Sequence, residues 1–455
     1  MSSTVDRSRP PSGAPARRGA FPPFTRERLE SGLEVLVCAG SAVPTVHLML
    51  LLDAGGAWNP IDRPGLATLT GALVDEGTRN RSGPEIAAEL EQLGAVLSVR
   101  TDWDVCQLEI HALAGDLETA LRVLAELAAE ASFPEAELER LRQQTLTEIR
   151  RRRDRPALLA DLALLRELYA GTPYGDLGSG SEAALRAVAR DEIVAFYESH
   201  FAAPRRSLIL TGDLDVPRAR ELAAAALPAA GAELPPAPEV VPPRRPRPRV
   251  RIVDLPHAAQ TELRIGHVGI ARRHPDRARF GLLNALLGGK FTSRLNLNLR
   301  ERHGYTYGVT SRLADRRSAG PFVVSAAVAN ESVGAAARET VDELRRLREE
   351  RVTESELAES RDYLIGVFPF TLQRAAGIAA RLADLAAFDL PSDHFDSTLR
   401  EIAATSAEDL LEVARRHLRP DDLALTAAGP AAQIAPQLQG LGELEVVDPD
   451  GLDRA

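Results

Sequence analysis

Apolar positions along this chain follow two periods, and the same succession of periods occurs twice. Residues 45–54 (TVHLMLLLDA) form a nearly continuous apolar run closed by Gly55-Gly56, which predicts a buried strand. Shorter strand patterns cover residues 32–37, 96–101, 105–112 and 207–211. Between them, helical periodicity covers residues 66–74, 84–93, 116–131, 134–153, 157–169 and 190–200. Pro84 suits a first helical turn. Residues 150–153, all Arg, fall at a helix end, where the dipole favours cations and a solvated terminus accounts for them.

Residues 235–249 obey neither period. Proline at 235, 236, 238, 242, 243, 246 and 248 blocks helices and ladders and predicts a stiff, extended linker, kept solvated by its arginines up to Arg251. The earlier order then returns. A strand at 260–268 precedes helices at 280–287 and 292–302, then Gly304 and a strand at 305–311. The first half has its helix at 85–93, then Gly94 and a strand at 95–101. Each half continues with a second strand (106–112; 321–328), an amphipathic helix (116–131; 332–349) and an acidic helix start, FPEAELER at 133 and VTESELAE at 352. The offset is 210 at the glycine and 219 at the acidic helix start, so a loop insertion separates them. The fold expected is α+β, with two duplicated sandwich domains, each an antiparallel-rich sheet packed with long helices. The boundaries expected are a disordered leader over 1–20, a first domain over 21–234, the linker over 235–249, a second domain over 250–434 and a loose acidic tail over 435–455.

Composition narrows the function. At 455 residues the chain is long enough for two cores, and 44% apolar with 26% charged residues excludes a disordered chain. The net charge of −10 argues against a broad nucleic-acid surface, and 4% aromatic residues against stacking as a main binding device. Lys290 is the only lysine among 55 basic residues, so arginine counts carry little functional weight. Cys38 and Cys106 cannot build a disulfide framework and read as two small buried thiols. No apolar run reaches the roughly 18 residues of a membrane span, and the start lacks the apolar segment of a secretory signal. A cytoplasmic protein is expected.

Several segments in order carry a resemblance: DAGG at 53–56, GLATLTGALVDEGT at 65–78, LEQLGAVLSVRTDWD at 90–104, FPEAELERLRQQTLTEI at 133–149, TPYG at 172–175, LTGDLD at 210–215 and LLGGKFTSRLNLNLRERHGYTYGV at 286–309. Together they resemble the pitrilysin/insulinase family, the inverzincin metallopeptidases that include mitochondrial processing peptidase. The resemblance implies the processing-peptidase-like fold. It also implies His-x-x-Glu-His on the helix at 66–74: two His one turn apart hold Zn²⁺, the Glu takes a proton from the zinc-bound water, and a second Glu about 75 residues on completes the shell. With Gly65 and Gly77-Thr78 setting the register, the first His position is Thr68, the Glu position Gly71 and the second His position Ala72. Glu148 stands at the distal Glu position, and a lone carboxylate cannot hold zinc, so a relic or a surface charge is expected there. The nine histidines, at 47, 111, 200, 257, 267, 274, 303, 394 and 417, include no pair three or four apart. His47 reads as a satisfied core or face histidine and His303 as a structural residue of a turn. No metal is expected in this chain.

The second half keeps what the resemblance implies for a substrate clamp. Arg300 and Tyr307, seven apart in LRERHGYTY, match the Arg/Tyr pair that contacts the peptide backbone and steadies the oxyanion in active members. Gly288 and Gly289 are candidate substrate-binding positions, and Tyr305 is the fallback for Tyr307. In some members of the family one chain carries zinc and its partner carries the Arg/Tyr pair. The resulting expectation is a subunit that is silent alone, binds peptide, and pairs with a zinc-bearing relative whose active site receives Arg300 and Tyr307 in trans. Peptide capture along a sheet edge would suit it. The competing expectation is an inert scaffold of the same fold, like core subunits of respiratory complexes. A third and weaker reading, a self-sufficient hydrolase with another site, lacks any coherent nucleophile or ligand cluster.

Overall fold

A computed structural model describes residues 19–201, 206–227, 237–243 and 248–452. The leader up to residue 18 and parts of the linker lie outside the described residues. The chain forms two mixed six-stranded sheets packed with helices. In the first, β1 (Thr25–Arg28), β2 (Glu34–Ala39), β3 (Thr45–Leu52), β4 (Val96–Thr101), β5 (Cys106–Leu113) and β6 (Arg206–Gly212) lie in the order β1-β2-β6-β3-β5-β4. In the second, β7 (Arg249–Asp254), β8 (Gln260–Val268), β9 (Thr306–Leu313), β10 (Pro321–Ala329), β11 (Ala424–Gly429) and β12 (Glu443–Val447) lie in the order β12-β7-β11-β8-β10-β9. A parallel pairing occupies the equivalent place in each sheet, β2 with β6 and β7 with β11, and the second sheet has another, β7 with β12; the remaining pairings are antiparallel. The repeat read from the sequence is therefore a repeat of topology. Gly94 and Gly304, at the 210-residue offset, both take left-handed backbone (φ 62° and 66°) in the turn from helix to edge strand.

The two halves differ in their first and last strands. The first sheet gains β1, antiparallel to β2, from the chain before it. The second gains β12, parallel to β7, from the chain after it. This corrects the loose tail expected over 435–455: its alternating apolar residues, Leu444 and Val446, pair with Val250 and Ile252.

Alternation along the strands gives each sheet two apolar faces. Val46, Leu48, Leu50 and Leu52 face the half's own helices, while Met49 and Leu51 face the other way. That second face is covered by the helix Ala375–Ala387 from the second half, through Ala379, Leu382 and Leu385. The second sheet is covered reciprocally by the helix Pro156–Tyr169 from the first half, with Leu159, Leu162 and Ala163 against Val253 and Ala428. A threonine hydroxyl fixes each exchanged helix: Thr211 on β6 donates to Ala375 O, and Thr426 on β11 donates to Ala160 O, both at 2.9 Å. Two leucines on either helix, at roughly 2 kcal/mol each, make the exchange a principal source of cohesion between the halves.

The loop between β9 and β10 adds a polar lock. Arg317 pairs with Asp53, and its backbone N donates to Asp104 Oδ2 at 3.0 Å. The Arg316 guanidinium lies 3.6 Å over the Trp103 ring. Tyr174 O–H donates to Asp104 Oδ1 at 2.6 Å, and burial pushes the Asp104 carboxyl up. The segments DAGG, TDWD and TPYG thus serve the joint between halves. Gly55 has to be glycine, since a Cβ there would lie 2.3 Å from the Asp104 backbone.

The linker also joins this region, in part. Val240 is buried, with its N–H donating to Ser318 Oγ at 2.9 Å. Arg251, expected to be solvated, instead pairs at 2.7 Å with the buried Glu167 of the exchanged helix. No helix among the described residues is long and apolar enough to cross a membrane.

Candidate functional site

The helix Leu66–Leu73 carries the first group of positions and packs against β4 and the helix Glu135–Arg151. The Thr68 hydroxyl donates to Gly178 O at 2.7 Å, so it is committed to its own chain. Gly71 is buried, and a Cβ there would lie 2.4 Å from Thr101 Oγ1 and 3.2 Å from Cys106 Sγ. A side chain at that position would have to displace the Thr101 side chain on β4. Ala72 is exposed. Glu148, on the far helix, is exposed and pairs with Arg155 at 2.9 Å, as a surface charge does. The residues present do not fit a metal centre: one exposed carboxylate and one committed hydroxyl fall short of three or four ligands.

The second group surrounds β9, an edge strand. The two helices before it end in π-helical turns, Ala285–Gly289 and Asn296–Arg302, in place of the α-helix expected through Arg302. Such wide turns are rare and recur at functional sites. Asn296 holds the second one: its side chain donates to Val309 O at 2.8 Å and accepts from Val309 N at 3.2 Å. Arg300 emerges from this turn, with its guanidinium 4.3 Å over the ring of Phe291, itself exposed. Tyr307 stands on β9 at 91% exposure. Tyr305 is half-buried and stacks on His303 at 4.9 Å, which gives both a role in the turn. Gly288 is buried, and a Cβ would lie 2.6 Å from Ser311 Oγ and 2.8 Å from Ser311 N. Its glycine is required by packing on β9; Gly289, beside it, is exposed.

Sequence spacing missed two histidine groups. His274, Asp276 and His417 bring polar atoms within 4.8 Å of one another, the one such group of three His, Cys or acidic side chains among the described residues. Asp276 Oδ2 lies 2.7 Å from His417 Nε2 and accepts from Arg416 at 2.6 Å, so its negative charge is already matched. The Asp276 N–H donates to His274 Nδ1 at 3.0 Å. This group ties the start of the helix Arg277–Asn284 to the end of the helix Ala407–His417. The residues are 143 apart in the chain, beyond the reach of any spacing rule. The second group places His47, expected to be satisfied, against Glu109. His47 is buried, and neither ring nitrogen makes a hydrogen bond; Glu109 Oε2 is 3.6 Å from Nε2. Both cysteines are buried, and burial pushes the Cys106 thiol up to about 12.

Comparisons with known proteins agree with this architecture. Residues 35–177 match the family model described as insulinase (peptidase family M16), and residues 187–364 match the one described as peptidase M16 inactive domain. A protein of Streptomyces coelicolor named as an uncharacterized zinc protease is 27% identical over 353 residues, covering 75% of this chain and 76% of its own. Subunit 1 of the mitochondrial cytochrome b-c1 complex of Bos taurus is 26% identical over 191 residues, 41% of this chain and 39% of its own. A crystal structure described as a peptidase M16 inactive domain from Pseudomonas fluorescens superposes with a TM-score of 0.83 at 27% identity, covering 90% of this chain and 98% of that one. The chain belongs to the M16 (insulinase/pitrilysin) family of peptidases.

Proposed function

We propose that this protein is the zinc-free subunit of a heterodimeric metallopeptidase, holding peptide substrate and supplying Arg300 and Tyr307 to the active site of a zinc-bearing relative. One observation carries the reading. A phenol at 91% exposure and an arginine on a π-helical turn flank a free edge strand, where their own fold makes little use of them. The edge offers main-chain hydrogen bonds to an extended peptide, and the Arg/Tyr donors suit charge that develops on a carbonyl oxygen. The positions Thr68, Gly71 and Ala72 favour the same division of labour, because the zinc would have to come with the partner.

The test is co-purification with a His-x-x-Glu-His relative, followed by peptide hydrolysis assays. Arg300→Ala and Tyr307→Phe should lower turnover by the complex about 100-fold, the scale of a lost oxyanion donor, while leaving assembly intact. Unchanged turnover removes the clamp assignment. The likeness to subunit 1 of the b-c1 complex supports a second reading, an inert scaffold. Recovery of the chain within an unrelated assembly, with no peptidase activity, would establish that one instead.

A further inference from the structure

A cleft of about 570 Å³ opens between the loop before the helix Arg277–Asn284, the end of the helix Glu354–Val367, and the helices Ala375–Ala387 and His394–Ala404. It lies within the roughly 300–1,000 Å³ range of small-molecule sites. One wall is apolar: Leu364, Val367 and Phe368 face Phe395, Leu399 and Ile402. Val367 is 38% exposed there, so this wall is not closed by the protein's own side chains.

The opposite wall is cationic. Arg272, Arg273, Arg277 and Arg381 line it against Asp315, Asp389 and Glu401, and Glu401 is held at 3.1 Å by Arg279, which does not line the cleft. Arg272 and Arg277 share one carboxylate, Asp315, at 3.4 and 2.8 Å. Arg272 is nine-tenths buried, and its one ion-pair contact, Nε to Asp315, is too poorly aligned to be a hydrogen bond. A buried guanidinium with donors to spare leaves a cost that an anion would remove. The neighbouring His394 registers the field: burial, then the Arg272 and Arg277 charges, push its imidazole down to about 4, so it stays neutral near pH 7. The cleft therefore combines a buried arginine, whose ion-pair partner Asp315 is shared with Arg277, with an open apolar wall, and Arg forks favour carboxylates.

We infer that this cleft binds a small amphipathic monocarboxylate, its acid group on Arg272 and its hydrocarbon along Val367, Phe368 and Phe395. The site is separate from Arg300 and Tyr307, and the inference does not rest on the peptidase reading. Titration calorimetry of the full chain with decanoate, 1-decanol and acetate tests it. Decanoate should bind one to one, and the alcohol and acetate at least tenfold more weakly. Arg272→Gln should lose at least tenfold of the decanoate affinity. Thr398→Trp, which fills the cleft from its wall and alters no charge, should abolish binding even if the arginine variant folds poorly. The inference is overturned if decanoate gives no heat of binding, if decanol binds equally well, or if the tryptophan variant binds like the wild type.

Discussion

The two halves use the same packing device and put different chemistry around it. In each, a helix presses on the edge strand through a glycine that faces a hydroxyl residue: Gly71 against Thr101 on β4, Gly288 against Ser311 on β9. In each, a left-handed glycine then turns the chain into that strand. Beyond this scaffold they diverge. The first half shows an alanine and a committed threonine where the family resemblance puts metal ligands. The second widens its helices into π-turns and presents Arg300, Phe291 and Tyr307. The divergence extends to the sheet faces. His47 on β3 and Arg264 on β8 lie opposite Thr211 and Thr426, which hold the exchanged helices. Arg264 is buried with its charge met by Asp161 at 2.7 Å and Glu262 at 2.8 Å, whereas His47 has no hydrogen bond. Duplicated architecture conserves the steric fit of backbone on backbone; charge is free to change wherever a new partner can be found.

The sharpest test of that contrast is a pair of apolar replacements. Arg264→Leu should cost about 3–5 kcal/mol in urea unfolding, because it strands two half-buried carboxylates. His47→Leu should cost about 1 kcal/mol or less, since the Glu109 carboxylate it faces at 3.6 Å keeps Arg100 at 2.6 Å. Equal losses would show that the two positions are not different in kind. Next comes the reciprocal exchange of helices. Leu382→Ala and Leu162→Ala should each cost about 2–5 kcal/mol, and a loss below about 1 kcal/mol at either would break the symmetry. Smaller effects belong to the glycines. Gly288→Ala and Gly71→Ala should cost about 1–3 kcal/mol, with Gly288 the costlier because a backbone nitrogen, unlike the Thr101 hydroxyl, cannot swing away.

The least effect concerns the two acidic helix starts. The helix Glu354–Val367 has a capping box from Thr353 and Glu356, while the helix Glu135–Arg151 starts at Pro134 without a side-chain cap. Burial alone would raise the Glu356 carboxyl, but the Arg294 guanidinium and the Thr353 N–H and hydroxyl hold it down at about 2. A depressed carboxyl stabilises the folded state fully above its unfolded value, near 4.5, and loses that contribution as pH falls toward 2. Arg294→Ala should therefore cost about 1 kcal/mol or less at pH 7, since the pair is partly exposed, and the difference should shrink between pH 4.5 and 2. A pH-independent difference would assign the effect to packing.

The sequence is most informative where structure is local. The buried strand at 45–54 and the pairing of its neighbours follow from alternation, and the duplication follows from the order of elements. The π-turns do not, because residues 292–302 have ordinary helical periodicity and the bonds of Asn296 to Val309 that accompany the second turn leave no trace in it. β7 was obscured by the proline run before it, and β12 by the acidic residues of the last stretch. The exchange of helices leaves no periodic trace: 375–387 is amphipathic whichever sheet it covers. Candidate positions could be placed by motif register, but only packing distances separate a glycine that fills no space from one that leaves room for a ligand.

The exchanged helices also set a timetable for synthesis. The strands of the first sheet are all made by Gly212, yet the helix that covers its second face begins at Ala375, 163 residues later. At ~5–20 residues per second, Leu36, Met49, Leu51 and Ile209 wait roughly ten to thirty seconds for their cover. A nascent first half thus emerges with one greasy side and no means of closing it by itself. Its maturation is bound to the ribosome's progress through the second half, and a chain truncated before residue 375 is the form most in need of a chaperone.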